Sequence, residues 1–468
     1  MKKVIPTFYS EYGRYISRFR MIPLDIDGLL PVERRLLLVM YEIARNKLVK
    51  SAKIVGQLIG TYHPHGDVSA YGSLVNLVRS GFGDATKSTW GGPGLEDTSA
   101  PAMRYTETKL EEWVNKFAFE YLNFVPWEVL EFENEPLYLP CALPMGLIGE
   151  GVINGISFHR TIIPKYTKQS LAMRLIWLLE NGMPELPKNW DKKMDEDKFG
   201  PKIIPNKDGC DLNEGEPNSF YKILLTGEGI VKYSPQITIE QKNKKDFLVI
   251  HGRAPNATFD PLLRAYEKNK LNIADRPTDQ SKKNKILIQI EPKKNTNIKE
   301  LMKTLQENYL NKNVNFKCYF SNLQGVVHQL SIDKLLLNCF ERWKEAFSNK
   351  LDHDIIEINE DIIDNIICAD VKNILHNHKQ IMSIGDIIKN FNFEKPIGLT
   401  IIEENNWKDI KVPIKPERVI EVCKRVTIQK LIEFQSVEEQ LKEKFKQKKQ
   451  EIENKGKLII SRIKDLIK

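Results

Sequence analysis

Ser51-Ala52-Lys53-Ile54-Val55-Gly56-Gln57-Leu58-Ile59-Gly60 is followed by Thr61-Tyr62-His63-Pro64-His65-Gly66-Asp67 and then by a second apolar-periodic run to Ser80. Ile54, Val55, Leu58 and Ile59 fall on one helical stripe, and Ser51 stands where a cap belongs. Tyr71, Leu74, Val75, Leu77 and Val78 form a second stripe. Pro64 and Gly66 break the chain between them. Two short helices joined by a tight glycine-containing turn are the pattern of a helix-turn-helix. An earlier helix is predicted over residues 30–46, with Leu30, Leu36, Leu37, Val39, Met40 and Ile43 on its apolar side. The glycine-rich stretch Gly81 to Pro93 reads as loop.

Beyond that loop stand Arg104 and Tyr105, in Pro101-Ala102-Met103-Arg104-Tyr105-Thr106. A phenol oxygen can attack a phosphodiester, and a neighbouring guanidinium can hold the charge that builds on the phosphate. The ester so formed keeps the energy of the broken bond, so resealing needs no external cofactor. Tyrosine is a poor nucleophile at neutral pH, with an ordinary pKa near ~10, and needs a nearby positive charge, a metal or a base. By itself an Arg-Tyr pair is a common dipeptide and a lone tyrosine is usually a packing residue.

Four blocks in fixed order give the pair its context: Asp27-Gly28-Leu29-Leu30-Pro31-Val32-Glu33-Arg34-Arg35, Lys50-Ser51-Ala52-Lys53, Tyr62 to Asp67, and Ala102 to Tyr105. Together they resemble the breakage-reunion subunit of type IIA DNA topoisomerases: the A-type subunit of gyrase and topoisomerase IV, or the medium subunit of the T-even-phage enzyme. The resemblance implies that Tyr105 is the nucleophile that cuts DNA and that Arg104, Arg34 and His65 serve the scissile phosphate. It implies DNA contacts for Arg20, Arg35, Lys50, Lys53 and His63. It also implies a wedge between base pairs for Ile163, in Thr161-Ile162-Ile163-Pro164. The family's Mg2+ and ATP belong to the other subunit, and no metal ligand set is assigned to this chain. Asp195-Glu196-Asp197 lies in a polar connector and reads as solvated loop. The sequence departs from the family at Leu30, where a lysine is usual, at Val68 and Gly72 after the histidine block, and over Gly91 to Asp97.

The expected fold class is α+β multidomain: a winged-helix (helix-turn-helix) DNA cleavage domain over 1–166, a tower-like α+β domain over 167–328, and a helical coiled coil with a dimer gate over 329–468. In the middle part strands are predicted at 221–226, 230–233, 237–240, 247–251 and 286–291, with helices at 168–181, 260–269 and 297–310. Residues 184–216 read as an extended connector. Long amphipathic runs follow at 331–367 and 416–468. The last carries Ile428, Leu431, Ile432, Val437, Leu441, Phe445 and Ile452 on a stripe among many lysines and glutamates, as a coiled coil requires.

The 468 residues and 41% hydrophobic content provide for several packed cores, and the net charge of +8 is compatible with a polyanionic partner. No run of ~20 apolar residues or apolar signal core is visible, so the expectation is an intracellular protein acting with DNA and no membrane. The six scattered cysteines point to thiols rather than disulfides or zinc. Implied partners are double-stranded DNA, a second copy of the chain, and a B-type ATPase and metal-binding subunit completing a heterotetramer. Divergent loops and modest size hint at a phage or viral origin. With no run of alternating strands after the last helix, ATP-dependent relaxation and decatenation are expected rather than negative supercoiling. The competing reading is a non-catalytic dimeric helix-turn-helix architectural protein, which would bind DNA without attaching to it.

Overall fold

The computed structural model describes residues 4–156, 160–242, 245–282, 285–378, 383–393, 396–403, 406–426, 430–431 and 434–465. They fall into two compact units, one of residues 1–344 with those from 463 on, the other of residues 345–462.

In the first unit the apolar stripes become the helices they predict. Helix α1 (Val4–Ile16) leads, and α2 (Pro31–Ile43) starts on a proline at its first position, where the missing N–H has no helical partner to lose. The Glu33 carboxylate reaches back to accept the Leu30 N–H at 2.9 Å. Helices α3 (Ser51–Thr61) and α4 (Asp67–Arg79) follow on either side of the turn 62–66, with Ile54, Val55, Leu58, Leu74, Leu77 and Val78 closed into the core. Strand β1 (Val49–Lys50) pairs antiparallel with β2 (Glu107–Thr108), so the start of α3 and the residues after Tyr105 share one small sheet. The loop after α4 is pinned rather than open. Arg79 Nε donates to the Trp90 carbonyl at 2.9 Å, and the Asp279 carboxylate accepts the Leu95 N–H at 2.7 Å.

Helix α5 (Glu112–Ala118) and a short hairpin of β3 (Trp127–Val129) and β4 (Asn134–Pro136) follow. A five-stranded antiparallel sheet is then built in the order β5 (Val152–Ile156), β6 (Arg160–Pro164), β13 (Lys312–Lys317), β8 (Glu228–Pro235), β7 (Cys210–Glu214). The boundary expected at residue 166 therefore falls inside one sheet. Between β8 and β13 a four-stranded sheet runs in the order β11 (Thr278–Asp279), β12 (Ile288–Ile290), β10 (Lys245–Ile250), β9 (Ile237–Lys242). Its buried face (Leu248, Ile250, Ile288, Ile290) packs with Leu262, Leu301 and Leu305 from helices Asp260–Glu267 and Ile298–Leu305.

Helix α6 (Lys168–Asn181) follows its prediction. It carries Arg174, which is fully buried and donates from Nε and Nη2 to the Asp333 carboxylate at 2.9 and 2.6 Å. Asp333 lies in the first turn of the 46-residue helix Ile332–Asn377. All six cysteines are free and five of them are buried.

Two expectations are overturned here. The strand predicted at 221–226 is a helix, Ser219–Thr226. Phe220, Tyr221, Ile223, Leu224 and Leu225 are all buried, and a short run buried on most sides has no period that separates helix from strand. Gly227 at φ +82°, a left-handed helix cap, is the signal that distinguishes them. In the second unit, the amphipathic run after 416 is not one long helix. It is divided into Pro416–Arg425, Glu438–Glu453 and Lys455–Asp465. Phe434 to Val437 are non-helical because helix side chains take their polar groups: Lys372 donates to the Phe434 carbonyl, while Asn365 binds Ser436 Oγ and the Val437 N–H. Ile428 and Ile432 of the expected stripe lie outside the described residues. A hairpin, Pro396–Glu403 with Asn406–Pro413, lies between the two predicted amphipathic runs.

Candidate DNA-cleavage site

Tyr105 sits at the surface, 64% exposed, in a turn closed by its own N–H donating to the Ala102 carbonyl at 2.9 Å. The Arg104 guanidinium lies over its ring at 4.6 Å. The turn is held from beneath. Ser51 N–H donates to the Thr106 carbonyl, Ala52 N–H to that of Met103, Thr106 Oγ1 bonds Ser51 Oγ at 2.8 Å, and Tyr71 Oη donates to the Pro101 carbonyl at 2.6 Å. Thus the first turn of α3 and a tyrosine of α4 fix the backbone while the phenol stays free. Lys50 bonds Glu107 at 2.6 Å, which reduces the charge it can offer a phosphate, and Lys53 is exposed on α3.

A second group gathers around the turn between α3 and α4. His63 is buried and His65 half-buried, their rings edge to face with centroids 4.2 Å apart. Arg35 Nη1 approaches His63 Nδ1 at 3.1 Å. The β3–β4 hairpin supplies two carboxylates to Arg35, Glu135 at 2.7 Å and Glu131 at 2.9 Å. Burial opposes the Arg35 charge, but these bonds outweigh it and raise its pKa. Burial first, and then the facing charges of His65, Arg35 and Arg20, push His63 down to about 3. Burial and Arg20 likewise depress His65, against a smaller opposing pull from Glu131. Both rings are therefore neutral near pH 7. Arg20, exposed, lies over the Tyr15 ring at 5.5 Å, and Tyr15 donates its hydroxyl to Glu131.

Arg34 is drawn away from the role expected for it. It is buried, and Nε and Nη2 both donate to Asp27, at 2.7 and 2.8 Å. Asp27 is fully buried and also accepts the N–H groups of Leu29 and Leu139. Gly28, at φ +68°, crosses Gly146 so closely that a Cβ on Gly146 would lie 1.7 Å from the Gly28 carbonyl oxygen. That crossing sets Asp27 beneath α2. Arg35, bound on two sides by glutamates, is likewise committed within the protein. Ile163 is fully buried in β6, opposite Ile153, and has no exposed edge to insert between base pairs. At the start of α4 the Asp67 carboxylate accepts the Val68 N–H at 2.9 Å.

Among the described residues no hydrogen bond or ion pair joins the Tyr105 turn to the His65 group. The sequence motifs pointed to the histidines and arginines. They could not point to Glu131 and Glu135, which lie about a hundred residues from Arg35 along the chain, or to the bond between Tyr15 and Glu131, which are 116 residues apart. Near His65 the Glu131 and Glu135 carboxylates are both bonded to Arg35. Asp195 caps the short helix Glu196–Phe199. In the second unit the potential ligand atoms of His353, Asp354 and Glu357 lie within 4.8 Å of one another, but Asp354 is bonded by Lys350 and Lys448. Among the described residues no helix is long and apolar enough to cross a membrane.

Comparison with known proteins identifies the family. The A-type subunit of DNA gyrase from Campylobacter jejuni is 32% identical over 261 residues, covering 53% of this chain and 28% of the relative. The A-type subunit of DNA topoisomerase 4 from Mycoplasma pneumoniae is 34% identical over 185 residues, covering 37% and 23%. The A-type subunit of DNA gyrase from Borreliella burgdorferi is 26% identical over 381 residues, covering 76% and 44%. The matches thus span less than half the length of these relatives. A sequence model of the family formed by the A-type subunits of DNA gyrase and topoisomerase IV matches residues 20–468, and with more than nine-tenths of its length inside that match the chain belongs to this family.

Proposed function

We propose that the chain is the DNA-cleaving subunit of an ATP-dependent type II topoisomerase. The observation that carries the reading is the Tyr105 turn: an exposed phenol under a guanidinium, on a backbone fixed by α3 and α4. Tyr105 Oη attacks the phosphorus, a 5′-phosphotyrosyl ester forms, and the bond to the 3′ oxygen breaks to leave a 3′-hydroxyl. Arg104 stabilises the charge on the phosphate. Arg20 is exposed beside the neutral His65, and the two together suit a phosphate contact and a proton acceptor or donor. Lys53, Lys50 and His63 complete the DNA-facing set, with Arg34 and Arg35 supporting it from within the protein.

Each Tyr105 cuts one strand, so a double-strand break needs two copies, which the helical part after residue 329 is proposed to join. A B-type partner is proposed to bring ATP hydrolysis and Mg2+. We assign relaxation and decatenation as the outcome of strand passage by this chain with its partner. The test is incubation with duplex DNA, Mg2+ and the B-type partner, then denaturation: DNA must remain covalently attached to Tyr105. Binding without attachment would favour the architectural reading.

A further inference from the structure

We propose that Glu135 is a positioning residue for strand cleavage, fixing the orientation of the His65 ring through Arg35 and His63. The inference rests on the proposed role of His65. Glu135 is 3% exposed and cannot touch DNA. Its two oxygens grip one edge of the Arg35 guanidinium: Nε lies 3.1 and 2.9 Å from Oε1 and Oε2, and Nη2 lies 2.7 Å from Oε1. A guanidinium is planar, with its donors in a rigid fork. Holding the Nε–Nη2 edge therefore fixes where Nη1 points. Nη1 meets Glu131 Oε2 at 2.9 Å and His63 Nδ1 at 3.1 Å.

Arginine only donates, so His63 Nδ1 accepts and its ring proton belongs on Nε2. That neutral tautomer agrees with the depressed pKa of His63. The oriented His63 ring then supports His65 edge to face, and the His63 carbonyl accepts the His65 N–H at 2.7 Å. Around the two rings the charged and titratable groups are Arg20 from the segment after α1, Tyr15 from α1, Arg35 from α2, and Glu131 with Glu135 from the hairpin. Glu131 also serves Tyr15, so its loss would disturb α1 as well. The side-chain hydrogen bonds of Glu135 all go to Arg35, and it gives the cleaner test.

The decisive measurement is a double-mutant cycle on covalent-complex formation, with Mg2+ and the B-type partner present. Glu135→Gln should slow the reaction at least tenfold when His65 is present and less than twofold in a His65→Ala background, with DNA binding unchanged. Equal factors in the two backgrounds would assign Glu135 a merely structural role and overturn the proposal. A second measurement needs no cleavage. In the chain alone, labelled with histidine carrying ring nitrogen-15, His63 should show an unprotonated Nδ1 and a protonated Nε2. Glu135→Gln should shift both His63 and His65 signals, and an unmoved His65 signal would also refute the inference. Absence of a covalent complex in the wild type would instead strike at Tyr105, leaving the ring measurement to decide on Glu135. Should Glu135→Gln not fold, Glu135→Asp takes its place in both measurements, with smaller changes in the same directions.

Discussion

Asp27→Asn should destabilise the first unit strongly although it changes almost no volume. Asp27 is fully buried and accepts two bonds from Arg34, at 2.7 and 2.8 Å, and one each from Leu29 and Leu139 N–H, at 3.0 and 3.1 Å. The amide keeps one acceptor oxygen. It turns a donor toward the other side and leaves the Arg34 charge buried without its counter-ion. Breaking a buried pair by removing one partner costs about 3–5 kcal/mol. For a unit of this size, at about 2 °C per kcal/mol, the midpoint should fall by about 6–10 °C. Calorimetry on the variant and wild type, at equal concentration and pH, reads the shift. Replacing both partners, Asp27→Leu with Arg34→Met, removes both charges and should recover part of the loss. A shift under about 2 °C for Asp27→Asn would refute the reasoning, because Arg34 would then not depend on Asp27.

Tyr105→Phe should bind DNA nearly as wild type and form no covalent complex; equal loss of both would make the tyrosine structural. Arg104→Ala should slow cleavage by about 10²–10³-fold, the scale for losing one oriented donor in a transition state, in a single-turnover cleavage assay. His63, depressed to about 3 from an ordinary 6.5, contributes stability that is complete above about pH 6.5 and is lost as the pH falls toward 3, because the unfolded chain then binds a proton the folded chain refuses. Thermal midpoints of His63→Gln should therefore fall less than wild type between pH 7 and 5, and parallel curves would contradict this. With partner and ATP, relaxed circles should not gain negative supercoils on a chloroquine gel.

Helices α3 and α4 were legible because their stripes are local: Ile54 to Ile59 and Leu74 to Val78 declare a period within two turns. The proposal for Tyr105 came from its neighbours in sequence, and the structure adds its exposure. The electrostatics of the site were not. Arg34 and Arg35 read as two phosphate contacts, yet Asp27 lies seven residues from one and Glu135 a hundred from the other, and pairing at those distances is decided by the fold. Ile163 failed for a related reason: an isoleucine before a proline looks the same whether its strand faces DNA or a second strand, and here Ile153 stands opposite. The break at Phe434 to Val437 depends on Asn365 and Lys372, about seventy and sixty residues away, so no local pattern could announce it.

The Arg174–Asp333 pair has a consequence for how this chain can change over generations. Neither side chain reaches solvent, so a mutation in either strands the other's charge, whereas replacing both by apolar groups of similar size is close to neutral in comparable cores. Arg174 also donates to the Phe199 and Pro201 carbonyls, which a replacement would leave unbonded. The two positions are separated by a fitness valley that single substitutions cannot cross cheaply. Across related sequences they should therefore either persist together or switch together, with changes near Phe199 accompanying the switch.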